Sequence, residues 1–227
     1  MSATAEFFNN PDNYLDKDYN VKVRRKIVGA LVGDVSDKKI LDVGCGNGGV
    51  SLQFALTNRL TLIDASAGML DLARKNTPSS IRERVNYILS PLESAPIMEG
   101  HYDICFAMGI LAHLESWKSG VEILSKSIKR GGQVVIQISD SANPLVRSQL
   151  KPRGKRQYAL NEIAFKSLVE VCGQAGLILL AEKHYGFTVR GMGMLPNNFL
   201  YRFTLMTTRF RLFKKMATEV IAVFQKA

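Results

Sequence analysis

Cysteine, histidine and tryptophan are scarce in this chain of 227 residues, which has three, three and one of them. Cys45, Cys105 and Cys172 are odd in number and lack metal-type spacing. That excludes a disulfide framework and a zinc ribbon, and reads as reduced thiols in a cytoplasmic protein. His101, His113 and His184 show no ligand spacing, and no carboxylate cluster suits Mg²⁺, so no metal is expected. No uninterrupted apolar run reaches about 18 residues, so no transmembrane helix is expected. Met1 to Asp16 is polar and acidic and has no apolar h-region, so no secretory signal is expected. Repeats and low-complexity tracts are absent too, and 46% hydrophobic with 22% charged residues is ordinary globular composition.

Acidic residues are also scarce, but only in one half. Residues 1–140 carry 16 basic and 16 acidic side chains, whereas residues 141–227 carry 14 and 4. The whole net charge of +10 therefore sits in the last 87 residues. Arg147, Lys151, Arg153, Lys155 and Arg156 form one cluster, and Arg202, Arg209, Arg211, Lys214 and Lys215 another. Two readings stand: a solvated face, or attraction to an anionic substrate, membrane surface or nucleic acid.

What is present is an alternation of strand and helix patterns. Short apolar runs predict strands at Lys38–Val43, Leu60–Ile63, Val85–Leu89, Tyr102–Ala107, Gln133–Ile138, Leu177–Ala181 and Thr218–Phe224. Helical spacing predicts helices over Val21–Leu31, Ala67–Lys75, Trp117–Ile128 and Asn161–Ala175, with another starting over Val50–Leu56. Gly131 and Gly132 are expected to cap the helix that precedes them. The pattern predicts an α/β fold: a doubly wound, mostly parallel, seven-stranded sheet. We expect a single domain over 1–227, with an N-terminal cap at 1–36, a ligand-binding half at 37–140 and a second half at 141–227. Residues 190–216 are too long for a loop and should hold a helical insertion.

The first strand runs into Leu41-Asp42-Val43-Gly44-Cys45-Gly46-Asn47-Gly48-Gly49. Glycines here let the backbone approach a ligand, and the helix that follows offers free N–H groups. Gly44, Gly46 and Gly49 fit the G-x-G-x-x-G spacing of dinucleotide sites. Asp42, however, would repel a pyrophosphate and suits a cationic ligand. Asp64 lies at the end of the second strand, 20 residues after Gly44, where a carboxylate can hold ribose hydroxyls.

With Asp64-x-Ser66-x-x-Met69-Leu70-x-x-Ala73-Arg74 following, the chain resembles the class I S-adenosylmethionine-dependent methyltransferases. Tyr102-Asp103, Leu111-Ala112-His113-Leu114 and Ile128-Lys129-Arg130-Gly131-Gly132 extend the resemblance over residues 38–182. It implies S-adenosyl-L-methionine as cofactor and a Rossmann-like methyltransferase fold. It places Gly44, Cys45 and Gly46 under the methionine part, with Asp42 orienting it. Asp64 would hold the ribose, Ala65 and Met69 would border the adenine, and Ala107 would line the site. Tyr14 and Tyr19 would belong to an N-terminal lid, Tyr14 toward the cofactor and Tyr19 toward the substrate, with hydrophobic packing as the alternative. Pro91 stands where the family carries an acidic residue for adenine, and proline supplies neither acceptor side chain nor N–H. The Leu92 N–H is the expected substitute.

Methyl transfer from a sulfonium is an in-line displacement, so positioning supplies most of the catalysis. His113, after the fourth strand, is the candidate base, with a packing role as the alternative. His184, Tyr185 and Arg190 are candidate substrate contacts; His101 lies at the wrong end of its strand and is expected to be structural.

Nucleic acid is disfavoured as acceptor because Ala107-Met108-Gly109-Ile110-Leu111 replaces the Asn-Pro-Pro-aromatic pattern of base methylation. The 190–216 segment interleaves Phe199, Leu200, Phe203, Leu205, Met206, Phe210, Leu212 and Phe213 with cations and contains no acid. That fits a small hydrophobic or glycosylated acceptor, methylated on oxygen or, second, nitrogen. It also fits peripheral contact with an anionic membrane or a lipid-linked substrate, by a monomer or homodimer. A non-catalytic cofactor-binding or scaffold protein, or a nucleic-acid or protein methyltransferase, is the alternative.

Overall fold

The computed structural model describes residues 19–150, 160–186, 192, 195–208, 214 and 216–227. In chain order the elements are α1 (Tyr19–Val32), β1 (Lys39–Val43), β2 (Arg59–Asp64), α2 (Ala67–Asn76), β3 (Val85–Leu89), β4 (Tyr102–Met108) and α3 (Trp117–Ser127). There follow β5 (Ile128–Ser139), α4 (Pro144–Leu150), α5 (Phe165–Gln174), β6 (Leu177–Tyr185), α6 (Asn197–Thr207) and β7 (Glu219–Lys226). The strands form one sheet in the order β3-β2-β1-β4-β5-β7-β6. Neighbours are parallel except that β7 runs antiparallel between β5 and β6. This is the expected doubly wound sheet.

Alternation along the strands sends side chains to two cores. Ile40, Leu62, Phe106, Val135 and Ile221 join α1 residues Val23, Ile27 and Val28 and α6 residue Leu200 on one face. Leu41, Ile63, Cys105, Ile136 and Phe224 join α3 and α5 residues Leu124 and Leu168 on the other. Serines start two of the helices: Ser66 Oγ accepts from Met69 N at 3.1 Å and Ser116 Oγ from Ser119 N at 3.2 Å.

Three expectations need correction. The helix expected from Val50 is only a 3-10 turn, Ser51–Phe54. Buried Asn58 ends it, donating to Phe54 O at 2.8 Å and Val35 O at 3.0 Å while accepting from Lys38 N at 2.9 Å, and turns the chain into β2. Gly131 and Gly132 do not cap a helix. The helix closes at Ser127, and the glycines lie within β5 beside an irregular pairing with β4. A Cβ at Gly132 would stand 2.9 Å from Asp103 O, so only glycine permits that approach. Finally, β6 continues to Tyr185 because β7 pairs with it that far. Asn58→Ala should cost about 2–3 kcal/mol, by unsatisfying buried backbone groups. A two-state denaturant melt with an unchanged midpoint would contradict that.

The insertion helix is present as α6. It buries Leu200, Thr204 and Thr207 against α1 and β6, and leaves Phe199 and Met206 about half exposed. Tyr14, Lys151, Arg153, Lys155, Arg156, Arg190, Arg209, Phe210, Arg211, Leu212, Phe213 and Lys215 lie outside the described residues.

Candidate cofactor and acceptor site

The β1 end and the loop after it are shaped by left-handed glycines. Gly44, Gly46 and Gly48 have φ of 64°, 54° and 71°. At Gly44 the reason is steric as well, since a Cβ would meet Ile110 at 2.8 Å. At Gly46 nothing lies within 4 Å, so the backbone stands open to a ligand. Cys45 turns the other way, into the core, and its N–H donates to Ile63 O at 3.0 Å.

Asp64 and the glycine loop meet directly. Asp64 Oδ2 accepts from Gly46 N at 2.8 Å, and Oδ1 accepts from Ser66 N at 2.9 Å. One N–H on each oxygen fixes the carboxylate and leaves lone pairs on both for hydroxyl donors. Burial pushes the Asp64 carboxyl up, and these N–H groups oppose it.

Asp42 is 1% exposed, and its Oδ1 has no hydrogen-bond partner. Burial first, then the Asp64 charge, push its carboxyl up to about 7, with the Ser51 hydroxyl acting the other way. A buried acceptor without a donor, beside an open glycine loop, fits the ammonium group of a bound S-adenosylmethionine.

Met69 is buried in the first turn of α2, beside half-buried Ala65. Pro91 precedes the 3-10 turn Leu92–Ser94, whose Leu92 is 3% exposed. Ser90 is held by its N–H on Asp64 O at 3.0 Å and by its hydroxyl near Ser94 Oγ at 3.3 Å. Buried Ala107 pairs with Val43, one strand from the glycine loop.

His113 ends the 3-10 turn Ile110–His113, which Asn161 clamps by donating to Leu114 O at 2.7 Å and Leu111 O at 3.2 Å. Burial holds its imidazole down to about 4, so it is neutral at pH 7 but a weak base. His101 packs edge-on against Tyr102 away from the loop.

The structure separates the β6 pair, because adjacent strand residues face opposite sides. His184 meets Phe165 edge-on, with centroids 5.4 Å apart, and Glu182 Oε1 at 3.2 Å. Tyr185 faces α1, where its hydroxyl accepts from Arg24 Nε at 3.3 Å. Tyr19 is buried at the start of α1, and lines a pocket of about 420 Å³ between α1 and α6. Lys22, Arg25 and Lys26 make that pocket cationic.

Sequence reading missed Arg24, Gln137 and Glu219. Gln137 is the one polar residue within the buried run Val134–Ile138, and Glu219 is the only acid after Glu182. A polar residue inside an apolar strand run and an isolated acid at the start of the last strand are the available signals. Among the described residues no group of three His, Cys, Asp or Glu side chains is placed to hold a metal. Nor is any described helix long and apolar enough to cross a membrane.

Comparison with known proteins sets the chain beside methyltransferases. Residues 41–136 match the family described as "Methyltransferase domain". A ubiquinone biosynthesis O-methyltransferase of Hydrogenovibrio crunogenus is 34% identical over 102 residues, 44% of this chain and 42% of that protein. The chain thus spans less than half the length of that curated relative. A methyltransferase structure from Thermotoga maritima superposes with TM-score 0.70 at 14% identity, covering 99% of this chain and 98% of the other. Geranyl diphosphate C-methyltransferase from Streptomyces coelicolor, solved with S-adenosyl-L-homocysteine, gives TM-score 0.67 at 13% identity, covering 91% and 79%. With the glycine loop, the two aspartates and the strand order in place, residues 41–136 carry the methyltransferase-domain match within a sheet that shares the fold of S-adenosylmethionine-dependent methyltransferases.

Proposed function

We propose that this protein transfers the methyl group of S-adenosylmethionine to an oxygen, or second a nitrogen, of a small hydrophobic or glycosylated acceptor. The observation that carries it is the joined pair of Asp64 and the open Gly46 loop, beside the Asp42 carboxylate, whose Oδ1 has no hydrogen-bond partner. In this reading Asp42 receives the cofactor's ammonium group, directly or through water. Gly44, Cys45 and Gly46 offer backbone to the methionine part, and Asp64 takes the ribose hydroxyls. Ala65, Met69, Pro91 and Leu92 border the adenine, and Ala107 and Tyr14 complete the cofactor side. The bound cofactor supplies an electrophilic methyl on a sulfonium. The protein's task is to align an acceptor with it and exclude water.

The name of the O-methyltransferase relative supports oxygen as the acceptor atom. Tyr19, Tyr185 and Arg190 are proposed on the acceptor side, with His184 at its edge and His113 as a candidate proton acceptor. Half-exposed Phe199 and Met206 beside exposed Arg202 support peripheral contact with an anionic membrane or lipid-linked acceptor.

Titration calorimetry with S-adenosylmethionine should give a Kd in the roughly micromolar range. Turnover against small-molecule pools, with and without anionic vesicles, should then show methyl gain by mass spectrometry. Absence of cofactor binding overturns the reading. Binding without any turnover favours the scaffold alternative.

A further inference from the structure

Three strands and one helix bring a polar cluster together at the C-terminal end of the sheet, and no role described so far uses it. Glu219, the first residue of β7, pairs with Ser139 of β5 on one side and Tyr185 of β6 on the other. Its Oε1 accepts from Ser139 Oγ at 2.7 Å, and its Oε2 accepts from Gln137 Nε2. Arg24 reaches in from α1, donating to the Tyr185 hydroxyl and interacting electrostatically with Glu219. Gln137 is 1% exposed, and its Oε1 is buried without a hydrogen-bond partner.

That orphaned oxygen borders the strand beside the cofactor loop. A Cβ added at Gly109 would stand 3.1 Å from Gln137 Oε1 and 3.8 Å from Arg24 Nη1. Gly109 follows β4, which pairs directly with β1. Adjacent strands lie about 4.8 Å apart, so β7 stands about 15 Å from β1. The Gln137 side chain, which bonds Glu219, comes back to Gly109 at the end of β4 and so shortens that distance for the reacting hydroxyl. Glu219 as carboxylate and Gln137 Oε1 are both acceptors, so the group that completes them is a donor. A packing role alone would be served better by an apolar residue at 137, because orphaning a buried amide oxygen is costly.

We propose that Gln137 and Glu219 hold the acceptor's hydroxyl and that Glu219 takes its proton during methyl transfer. This rests on the reading of the protein as an O-methyltransferase. In the step, an oxygen lone pair forms the new C–O bond as the methyl–sulfur bond breaks. The bonding pair stays on sulfur and cancels the sulfonium charge. The hydroxyl proton passes to the Glu219 carboxylate and then to solvent. Burial pushes the Glu219 carboxyl up, and the Arg24 charge and the Ser139 and Gln137 hydrogen bonds oppose it. Arg24 and Tyr19 of α1, Tyr185 of β6, and Ser139 and Gln137 of β5 are the groups that face it.

The test uses the whole chain, labelled S-adenosylmethionine and a panel of simple phenols as probes. Glu219→Gln should lower kcat about 10²-fold or more and abolish the acid limb of the kcat–pH profile. Cofactor Kd should change less than about twofold, since the cofactor loop is untouched. Glu219→Asp should restore part of the rate, and serves if the Gln variant does not fold. Undiminished phenol methylation by a folded Glu219→Gln protein overturns the role of Glu219 alone. So does a large loss in His113→Ala with none in Glu219→Gln. If the native protein neither methylates any phenol nor binds one with S-adenosylhomocysteine present, the O-methyl reading falls and this role with it.

Discussion

Asp64→Ala is expected to weaken S-adenosylmethionine binding by about 2–4 kcal/mol, roughly 30- to 1,000-fold in Kd. The two ribose hydroxyls would lose a charged acceptor that the protein has already oriented. The same change unties Gly46 N and Ser66 N, which Asp64 holds at 2.8 and 2.9 Å. The loop should therefore loosen even without ligand, and the melting temperature of the unliganded protein should fall by several degrees. Asp64→Asn separates the two contributions. It keeps the size of the side chain and one acceptor oxygen but turns an NH2 donor toward one of the two N–H groups, so it should recover part of the stability and little of the affinity. Calorimetry and thermal melts on the three proteins decide the matter. Unchanged affinity in Asp64→Ala would place the ribose elsewhere.

The second large effect runs in opposite directions for stability and binding. Burial, with the Asp64 charge, raises the Asp42 carboxyl from 3.8 to about 7. The unfolded chain loses this proton near pH 4, whereas the folded chain keeps it until about pH 7. Between those values the folded state binds more protons, so this group's contribution to stability falls as pH rises. Above pH 7 the cost is constant, at most about 4 kcal/mol for a shift of this size. Asp42→Asn removes that ionisation. The unliganded variant should match the native protein near pH 4 and exceed it in melting temperature at pH 8. Cofactor affinity should fall, because the ammonium group loses its anionic partner. A difference in melting temperature that stays flat from pH 4 to 8 would show that Asp42 ionises in the folded state as it does in water.

The two aspartates are legible in the amino-acid sequence because their geometry is local. Asp42 and Asp64 end consecutive parallel strands, and such strand ends meet at one edge of a parallel sheet. The glycines between them specify the loop by their own backbone freedom. The same locality makes α2 readable, with Ser66 capping and Met69, Leu70 and Ala73 recurring on one face. Locality also marks where the residue pattern misleads. The residues after Val50 carry a helical pattern, but Asn58 pulls the chain into β2 before a helix can develop. Gly131 and Gly132 look like a cap, yet Gly131 takes a left-handed turn with φ of 75° within β5 and Gly132 admits the approach of Asp103 O from β4.

The alternation of strands and helices, the seven-stranded sheet, the cofactor loop and its two carboxylates all follow from residue patterns a few positions long. Three other features exist only in the assembled fold: β6 runs on to Tyr185, His184 and Tyr185 part to opposite faces, and Arg24, Gln137 and Glu219 converge. Gln137 and Glu219 are 82 positions apart, and Arg24 is 161 from Tyr185. What joins them is the insertion of antiparallel β7 between β5 and β6 and the laying of α1 across that edge. No local pattern encodes such a pairing, because it is chosen by which apolar faces bury one another once the chain has collapsed.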